Sequence, residues 1–343
     1  MKHVNIPVFV PHLGCPHDCV FCNQKTITGV REFDFAAAEA QIEAALSTVD
    51  PAKTEAEIAF FGGSFTGIER GTMLSLLSLS DKYYDKGLIR SVRCSTRPDY
   101  IDDDILAILK EHHVKTVELG IQSMSDRVLE ASMRGHTSQT SVNACRMVVD
   151  AGLDLVGQMM IGLPLSSPDD EIMTAERICE LGAKGARIYP TVVFGSTALC
   201  NMAKDGSYLP LSVDEAVKRS ADALGVFIKN KVEVIRIGLC ESEGLHTASG
   251  IYAGAFHPAL GELCISEYYR RRFEALTDGV KGAKEIIFEV SSGSTSKAVG
   301  QRRKNVEALR RILPGTKIRI IENTALDKYE IIMKVDGKEI QCV

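Results

Sequence analysis

Short apolar stretches alternate with amphipathic stretches along most of this chain of 343 residues. The apolar stretches are nearly continuous, which is typical of strands that are buried on both faces of a parallel sheet. The intervening stretches have the period and length of helices. The predicted strands cover residues 4–10, 57–61, 90–94, 116–121, 154–161, 186–192 and 232–238. The predicted helices cover residues 35–48, 69–86, 102–112, 137–151, 168–182 and 212–229.

Six or seven such βα units predict an α/β fold, and they fit a partial (β/α)6 barrel of the TIM type better than an open sheet. In β/α barrels, ligands bind at the carboxyl ends of the strands, where the βα loops converge. Most of the predicted strands are followed there by glycine, proline or polar clusters, for example GCPHDC, GGSFTG, STRPDY and GIQSMS. The sequence therefore places its unusual residues where this architecture has active sites.

The last part of the chain has a different pattern. It is predicted to contain a strand at 285–292, a helix at about 298–313, and two strands at 317–322 and 329–335 that form an antiparallel hairpin. The turn signals Asp278-Gly279 and Lys281-Gly282 suggest a boundary near residue 280. We therefore expect a core domain at 1–280 and a small α+β appendage at 281–343.

Composition excludes several classes of protein. With 45% apolar and 25% charged residues, the chain is typical of globular proteins and not of disordered ones. The formal net charge of −5 excludes a globally basic nucleic-acid binder, although a local basic face stays open. No apolar run reaches the ~18–20 residues of a membrane helix. Pro7 and Pro11 interrupt the N-terminal apolar stretch, so it reads as a strand, not a signal peptide. We expect a cytoplasmic protein with reduced thiols.

Three of the ten cysteines, Cys15, Cys19 and Cys22, lie in one loop after the first predicted strand. Thiolates are the ligands that iron–sulfur clusters and zinc select. A closed zinc site usually takes four ligands, and no second cysteine pair of this kind is present. The spacing therefore favours a 4Fe–4S cluster with one iron left open for a cofactor or substrate. A zinc site completed by His12 or His17 and a loop of structural thiols are the alternatives.

The spacing CxxxCxΦC, where Φ is aromatic, resembles the signature of the radical S-adenosylmethionine (SAM) superfamily. The segment FFGGSFTG resembles that family's glycine-rich segment, which receives the methionine amino group of SAM; the resemblance assigns this role to Gly62, Gly63 and Ser64. The segments CSTRPDYI, VELGIQSMSDRVL, RGHT and GQMMIGLP are similar to the elongator catalytic-subunit branch, the Elp3-like group. This finer resemblance covers roughly residues 1–265.

The resemblance also implies a SAM pocket on the third to fifth strands. Its lining would include Ser95, Thr96, Arg97, Glu118, Gln122 and Ser123. Arg134 would pair with the carboxylate of SAM, and Gln158 would contact its ribose or adenine. Each of these residues has a structural alternative as well: Glu118 could form a salt bridge with a neighbour, and Arg97 could cap a turn.

The function that the resemblance implies is reductive cleavage of SAM by the cluster to a 5′-deoxyadenosyl radical, with an electron donor such as ferredoxin or flavodoxin. The elongator branch modifies tRNA, so tRNA or another RNA is the first candidate substrate. No acetyltransferase domain follows the radical domain in this sequence, so acetyl-CoA-dependent carboxymethylation is not expected. The alternatives are a small-molecule enzyme that resembles oxygen-independent coproporphyrinogen oxidase, and a cluster-bearing binding or haem-chaperone-like protein without turnover.

Two later segments leave alternatives open. The tail helix is strongly basic, and Arg270, Arg271 and Arg272 form another cluster. Such runs are either solvated helix faces or surfaces that follow RNA phosphates. The basic residues of the tail helix are Lys297, Arg302, Arg303, Lys304, Arg310 and Arg311. Cys240, His246, His257 and Cys264 could form an auxiliary metal site, but their spacing matches no usual zinc pattern.

Overall fold

A computed structural model describes residues 2–10, 19–22, 33–239 and 250–340 of the chain. Its first part contains eight strands, of which all except β7 pair into one parallel sheet in the order β1-β2-β3-β4-β5-β6-β8. The strands are β1 (Lys2–Val10), β2 (Thr54–Gly62), β3 (Ser91–Thr96), β4 (Val114–Gln122), β5 (Asp154–Ile161), β6 (Gly185–Pro190), β7 (Val192–Phe194) and β8 (Glu233–Ile237). Within the described residues β1 and β8 do not pair, so the predicted partial barrel is confirmed.

Helices connect the strands and cover the outer face of the sheet. They are α1 (Phe35–Ser47), α2 (Arg70–Tyr84), α3 (Asp103–Glu111), α4 (Asp126–Ala131), α5 (Ser138–Asp150), α6 (Pro168–Glu180), α7 (Ala198–Asp205) and α8 (Val213–Lys229). On β1, Ile6, Val8 and Val10 are buried in the shared core, whereas Pro7 and Phe9 between them are exposed. This alternation follows the two-residue period of a strand, so one face of β1 packs in the shared core and the other faces away from it.

A second sheet lies in the C-terminal part of the chain. This part contains β9 (Ile251–Gly254), α9 (Leu260–Leu276), β10 (Glu285–Ser291), α10 (Thr295–Val299), α11 (Lys304–Ile312), β11 (Lys317–Asn323), β12 (Ile331–Val335) and β13 (Lys338–Ile340). The second sheet has the order β11-β10-β12-β13, and β9 pairs with β7 instead.

The predicted hairpin between 317–322 and 329–335 is wrong, because β10 lies between these two strands. β10 pairs with β11 in parallel and with β12 in the antiparallel sense. Since a helical crossover joins β10 to β11, the two strands run in the same direction, and β12 takes the other edge of β10. The antiparallel hairpin of this sheet is β12–β13, which turns at Asp336-Gly337.

The predicted tail helix at about 298–313 is also interrupted. Gly300 has a φ of 77° and ends α10, and Arg302 and Arg303 follow with φ values of 50° and 62°. A left-handed conformation at two successive non-glycine residues costs about 1–3 kcal/mol each. Arg302 and Arg303 therefore lie in a connecting turn and not on a helix face.

Helix α9 was not predicted from the sequence. Tyr269 and Phe273 on this helix are fully buried against the second sheet, and the ring centroids of Phe273 and Phe288 lie 4.2 Å apart. α9 also contacts α8 of the core through an ion pair between Arg271 and Asp222. The division of the chain at residue 280 stays a prediction. No helix among the described residues is both long and apolar enough to span a bilayer.

Candidate cofactor site

The predicted SAM-pocket residues lie on neighbouring parallel strands or on the loops that follow them. Gly62 ends β2 opposite Val10 of β1, and Ser95 on β3 lies opposite Glu118 on β4. Gln158 on β5 lies opposite Gly120 of β4. Gly63 and Ser64 follow β2, Arg97 follows β3, Gln122 ends β4, and Arg134 lies between α4 and α5. Cys15 lies outside the described residues, whereas Cys19 and Cys22 lie within them.

The glycine-rich turn after β2 is required by the backbone of β1. Gly62 has a φ of 122°, and a Cβ atom there would come within 2.0 Å of the carbonyl oxygen of Val10. The next amide, that of Gly63, donates to the same carbonyl at 3.4 Å. Thr66 in the following turn is bound to Thr96 at the end of β3, with 2.6 Å between their hydroxyl oxygens. Gly62 is therefore needed for the close approach of two strands, whatever the turn binds.

The segment Cys19–Cys22 is anchored by backbone hydrogen bonds to two other parts of the chain. The amide of Val20 donates to the carbonyl of Ser132 at 3.1 Å, and the amide of Leu199 donates to the carbonyl of Val20 at 2.8 Å. Val20 is buried in a small apolar cluster with Leu199 and Tyr208. The end of α4 and the start of α7 therefore fix where the cysteine sulfurs lie.

Two buried arginines converge on the sulfur of Cys19. Nη1 of Arg134 is 3.5 Å from this Sγ, and Nη1 of Arg97 is 3.9 Å from it. Both side chains are almost completely buried. The thiolate, and not the thiol, is the form of cysteine that binds metals. This surrounding suits a cysteine that acts as an anionic ligand.

The guanidinium group of Arg97 is already engaged by protein groups. It donates through Nε and Nη2 to the two carboxylate oxygens of Asp99, both at 2.9 Å, and through Nη2 to the carbonyl of Arg134 at 2.7 Å. Burial alone would raise the pKa of Asp99, but hydrogen bonds and charge from Arg97 lower it overall. Arg97 thus holds the backbone of Arg134 in place, in addition to contacting Cys19.

The Nε donor of the Arg134 guanidinium group has no hydrogen-bond partner. Nη2 donates to the carbonyl of Gly120 at 2.7 Å, and Nη1 is directed to Cys19. Nε is buried and has no hydrogen-bond partner. A Cβ atom on Gly120 would lie 2.9 Å from Nη2, so this strand position must stay small for Arg134 to fit.

Glu118 belongs to a chain of ion pairs inside the barrel. Arg93 on β3 donates to both Glu57 on β2 and Glu118, in the second case at 2.8 Å. Arg187 on β6 donates to Glu118 from Nε at 2.8 Å and from Nη2 at 3.1 Å. Glu118 is completely buried. We call Glu57, Arg93, Glu118 and Arg187 the interior ion-pair chain.

Gln158 connects Ser95 to the interior ion-pair chain by hydrogen bonds. Nε2 of Gln158 donates to Oγ of Ser95 at 2.9 Å and to a carboxylate oxygen of Glu118 at 3.1 Å. The sequence motifs singled out Glu118 but not the other three members of the interior ion-pair chain. Alternating charge on inward-facing strand positions is the signal that could have found them.

Buried polar atoms without partners gather on the segment 122–136. Eight such side-chain atoms occur among the described residues, and four of them lie on this segment: Oε1 of Gln122, Oγ of Ser132, Nε of Arg134 and Nε2 of His136. Such atoms are rare in native proteins and call for an explanation, such as a bound group. The set offers donors and acceptors to a molecule that carries both, and SAM, with its ammonium, carboxylate and ribose hydroxyl groups, is such a molecule.

His136 was part of a quoted motif, RGHT, but was not predicted as a site residue. Burial, and next the charge of Arg134, lower its pKa to about 4, so it is neutral at pH 7. Nδ1 lies 3.3 Å from the carbonyl of Thr137 and 3.5 Å from the hydroxyl of Ser141. Nε2 is buried and has no hydrogen-bond partner among the described residues.

The auxiliary metal site receives no support from His257 and Cys264, the two of its four predicted residues that the structure describes. Cys264 is fully buried, and burial raises the pKa of its thiol to about 12. Nδ1 of His257 accepts a hydrogen bond from the amide of Ala259 at 3.0 Å. Cys240 and His246 lie outside the described residues. Among the residues that the structure describes, no group of three or more His, Cys, Asp or Glu could hold a metal ion.

Comparison with known families decides what these motifs belong to. The model of the radical SAM superfamily matches residues 9–178, and that of the radical SAM C-terminal domain matches residues 183–271. This chain belongs to the radical SAM superfamily. Radical SAM proteins are enzymes that use a 4Fe–4S cluster and SAM. The superfamily model begins on β1 and ends on α6, so it includes every residue of the predicted pocket.

The relatives of this radical SAM protein include archaeal enzymes. An uncharacterized protein of Methanocaldococcus jannaschii is 27% identical over 65% of this chain and 71% of its own length. The tRNA uridine(34) acetyltransferase of the same organism is 31% identical over 36% of this chain, but over only 23% of its own length. The solved structure of Methanocaldococcus infernus Elp3, with its N-terminus deleted, matches 79% of this chain and 63% of its own at a TM-score of 0.63 and 22% identity. That likeness confirms the fold.

Proposed function

We propose that this enzyme holds a 4Fe–4S cluster through Cys15, Cys19 and Cys22 and binds SAM against the segment 122–136. The observation that carries the proposal is the convergence of Arg97 and Arg134 on the sulfur of Cys19, beside four buried polar atoms without partners. When bound, the cluster would supply the electron that cleaves SAM to methionine and a 5′-deoxyadenosyl radical. The electron donor would be a ferredoxin or flavodoxin in the reducing cytoplasm.

Arg134 is the proposed contact for the carboxylate of SAM, and the geometry limits how it can bind. Nε is its nitrogen without a hydrogen-bond partner, whereas Nη1 and Nη2 each already make one bond, to Cys19 and Gly120. A single charge-assisted hydrogen bond from Nε requires no rearrangement and is our proposal.

The other predicted residues receive different roles in this proposal. The glycine turn at Gly62, Gly63 and Ser64 receives the methionine amino group, and Gln122 accepts from a donor on SAM. Arg97 is a positioning residue, because its donors bind Asp99, Arg134 and Cys19. Glu118 orients the amide of Gln158, which with Ser95 lies nearest the ribose or adenine.

The cluster assignment is tested by measuring iron, sulfide and the reduced-cluster signal after anaerobic reconstitution. Replacing Cys15, Cys19 or Cys22 with Ala should abolish the 4Fe–4S signal and SAM cleavage. Cys179→Ala is the matched control, since Cys179 is a partly exposed free thiol on α6. A reducible 4Fe–4S signal in any of the three loop variants would refute the assignment.

RNA, and specifically a tRNA base, is the substrate that we propose. The support is the similarity to an enzyme whose name specifies tRNA uridine, over 36% of this chain, and to human Elongator complex protein 3, over 42% of this chain. A small acidic substrate has less support, because Arg93 and Arg187 inside the barrel are already paired with Glu57 and Glu118. Those arginines leave little positive charge for substrate carboxylates.

The substrate proposal is tested by following deuterium into 5′-deoxyadenosine in anaerobic reactions with labelled cell fractions. Transfer from the RNA fraction is the expected result. Transfer from the small-molecule fraction alone would support an enzyme of the coproporphyrinogen oxidase kind. Absence of 5′-deoxyadenosine with reductant and SAM would indicate a binding protein without turnover.

A further inference from the structure

A cleft of about 1110 Å³ lies at the junction of the core and the C-terminal part, away from the strand ends that carry the cofactor site. Helices α9 and α11 form its sides, together with the turn after α9, and Lys218 of α8 reaches it from the core. Its charged lining residues are Lys218, Glu267, Arg270, Glu274, Asp278, Lys281, Lys304, Glu307 and Arg311. We call it the junction cleft.

Three of the four acidic side chains of the junction cleft are neutralised within the fold. Arg270 pairs with both Glu267 and Glu274, in each case at 2.6 Å. Arg310 pairs with Glu307 at 2.8 Å. Within the ranges that the structure describes, Asp278 is the acidic residue of the cleft that has no ion pair.

The remaining cations of the junction cleft have no such partners. Lys218, Lys281, Lys304 and Arg311 form no ion pair with any described residue. All four are exposed. One unpaired acidic group against four unpaired cations leaves the cleft positively charged.

This local charge contrasts with the rest of the chain. Residues 281–343 contain 13 basic and 8 acidic side chains, whereas residues 1–280 contain 27 basic and 37 acidic ones. Arg302 and Arg303, exposed in the left-handed turn before α11, extend the positive surface beyond Lys304. A positive surface on an otherwise acidic protein favours a polyanionic partner at that one place.

We propose that the junction cleft binds the phosphate backbone of the RNA substrate. This inference depends on the proposed function for the identity of the substrate, and it adds where that substrate is held. The cations are spread over α8, α11 and the turn after α9, which suits several successive phosphates better than one small anion. Among the described residues no aromatic side chain lines the cleft, so these residues provide no stacking platform for bases. Recognition there is therefore of the backbone and not of sequence.

The proposal predicts a specific dependence of RNA affinity on salt. If all four cations contact phosphates, the affinity should fall roughly 50- to 150-fold between 50 and 200 mM salt, at a slope of about 0.7–0.9 per contact. Each single substitution, such as Lys304→Gln, should reduce the slope by about that amount. The measurement is the binding of bulk tRNA by the full-length, reconstituted protein at several KCl concentrations.

The decisive variant combines Lys218→Gln, Lys281→Gln, Lys304→Gln and Arg311→Gln. It should bind tRNA at least tenfold more weakly at 50 mM KCl and with little salt dependence. The matched control removes the same charge at four exposed lysines outside the cleft, by Lys86→Gln, Lys110→Gln, Lys115→Gln and Lys338→Gln. The control should keep most of the affinity. Equal loss in both variants would overturn the proposal, because it would attribute binding to net charge alone.

Two further binding experiments test whether the junction cleft binds other anionic ligands. Adenosine monophosphate should not compete with tRNA at comparable concentration, and phosphatidylserine vesicles should not bind through the cleft. Competition by the nucleotide would indicate a small-phosphate site, and cleft-dependent vesicle binding without tRNA binding would indicate a membrane surface. Either result would overturn the proposal.

Reductive SAM cleavage without RNA separates this inference from the proposed function. The cleft variant should cleave SAM at the wild-type rate in the absence of RNA. If the wild-type protein bound tRNA through the cleft but never cleaved SAM, the proposed function would be refuted, and the proposal that the junction cleft binds RNA would be retained. If the wild-type protein cleaved SAM normally and the cleft variant bound tRNA as tightly as wild type, only the proposal that the junction cleft binds RNA would be refuted.

Discussion

The interior ion-pair chain and the segment 122–136 are both buried, polar and rich in arginine, but they differ in how completely their groups are bonded. In the chain of Glu57, Arg93, Glu118 and Arg187, each carboxylate meets at least one guanidinium group on a neighbouring strand. On the segment 122–136, four side-chain atoms are buried without a partner. Burying a polar atom without a hydrogen-bond partner costs free energy, so such atoms are expected where they serve a function such as ligand binding.

This difference distinguishes the buried charges that support the fold from the buried polar atoms to which a ligand would bind. A satisfied ion-pair chain links β2, β3, β4 and β6 and keeps the partial barrel in shape. Unsatisfied atoms next to Cys19 are the ones that a cofactor can complete. The following substitutions test this contrast, because those in the first region should change stability and those in the second should change ligand affinity.

The largest effect is expected from Glu118→Gln. This change leaves Arg93 and Arg187 without their shared carboxylate in a buried site, and breaking such a pair costs about 3–5 kcal/mol of unfolding free energy. Guanidinium denaturation measures the loss. The control is Glu39→Gln, which breaks an exposed pair with Lys82 and should cost no more than about 1 kcal/mol. Equal, small losses in both variants would show that the interior chain does not support the fold.

The next effect is a pH dependence that belongs to His136. Its pKa is lowered from 6.5 to about 4 in the folded protein, so between these values the unfolded chain binds a proton that the folded one does not. Stability from this group is therefore lost as the pH falls, by about 3 kcal/mol in total near pH 4. Urea denaturation of wild type and His136→Gln from pH 7.5 to pH 4 measures this difference. If the two proteins lost stability in parallel, His136 would not be buried in its neutral form.

A smaller change in stability, paired with a larger one in binding, is expected from Gln122→Ala. Because Oε1 of Gln122 has no partner in the protein, its removal should change the unfolding free energy by less than about 1 kcal/mol. The SAM dissociation constant should rise at least tenfold in the reconstituted enzyme. Gln158→Ala is the comparison, since its amide bonds Ser95 and Glu118 and its loss should cost more stability. Unchanged SAM affinity in Gln122→Ala would remove this residue from the site.

The barrel was predictable because its strands and helices each follow their own period. The order of strands in the second sheet was not read correctly, although the strand–helix–strand pattern of β10, α11 and β11 already implied a parallel pair. Helix α9 was missed because its sequence, with three arginines beside two tyrosines, has only a weak amphipathic pattern. Its arginines reach Glu267, Glu274 and Asp222, and these contacts depend on tertiary structure.

The candidate site was predictable to the level of motifs but not of contacts. The cysteine spacing, the glycine pair and RGHT identified the segments that meet near Cys19. Sequence could not tell that Arg97 is held by Asp99, or that Glu118 is shared by two arginines from β3 and β6. Such partners come from strands far apart in the chain, and only their register in the sheet brings them together.

The most direct test of the central claim is the electron paramagnetic resonance spectrum of the reduced, reconstituted protein with and without SAM. If three cysteines leave one iron open and SAM binds there, the spectrum should be that of one 4Fe–4S cluster and should change on addition of SAM. The change should require a higher SAM concentration in Gln122→Ala. A cluster spectrum that saturating SAM leaves unaltered, in protein with a full iron content, would contradict the account.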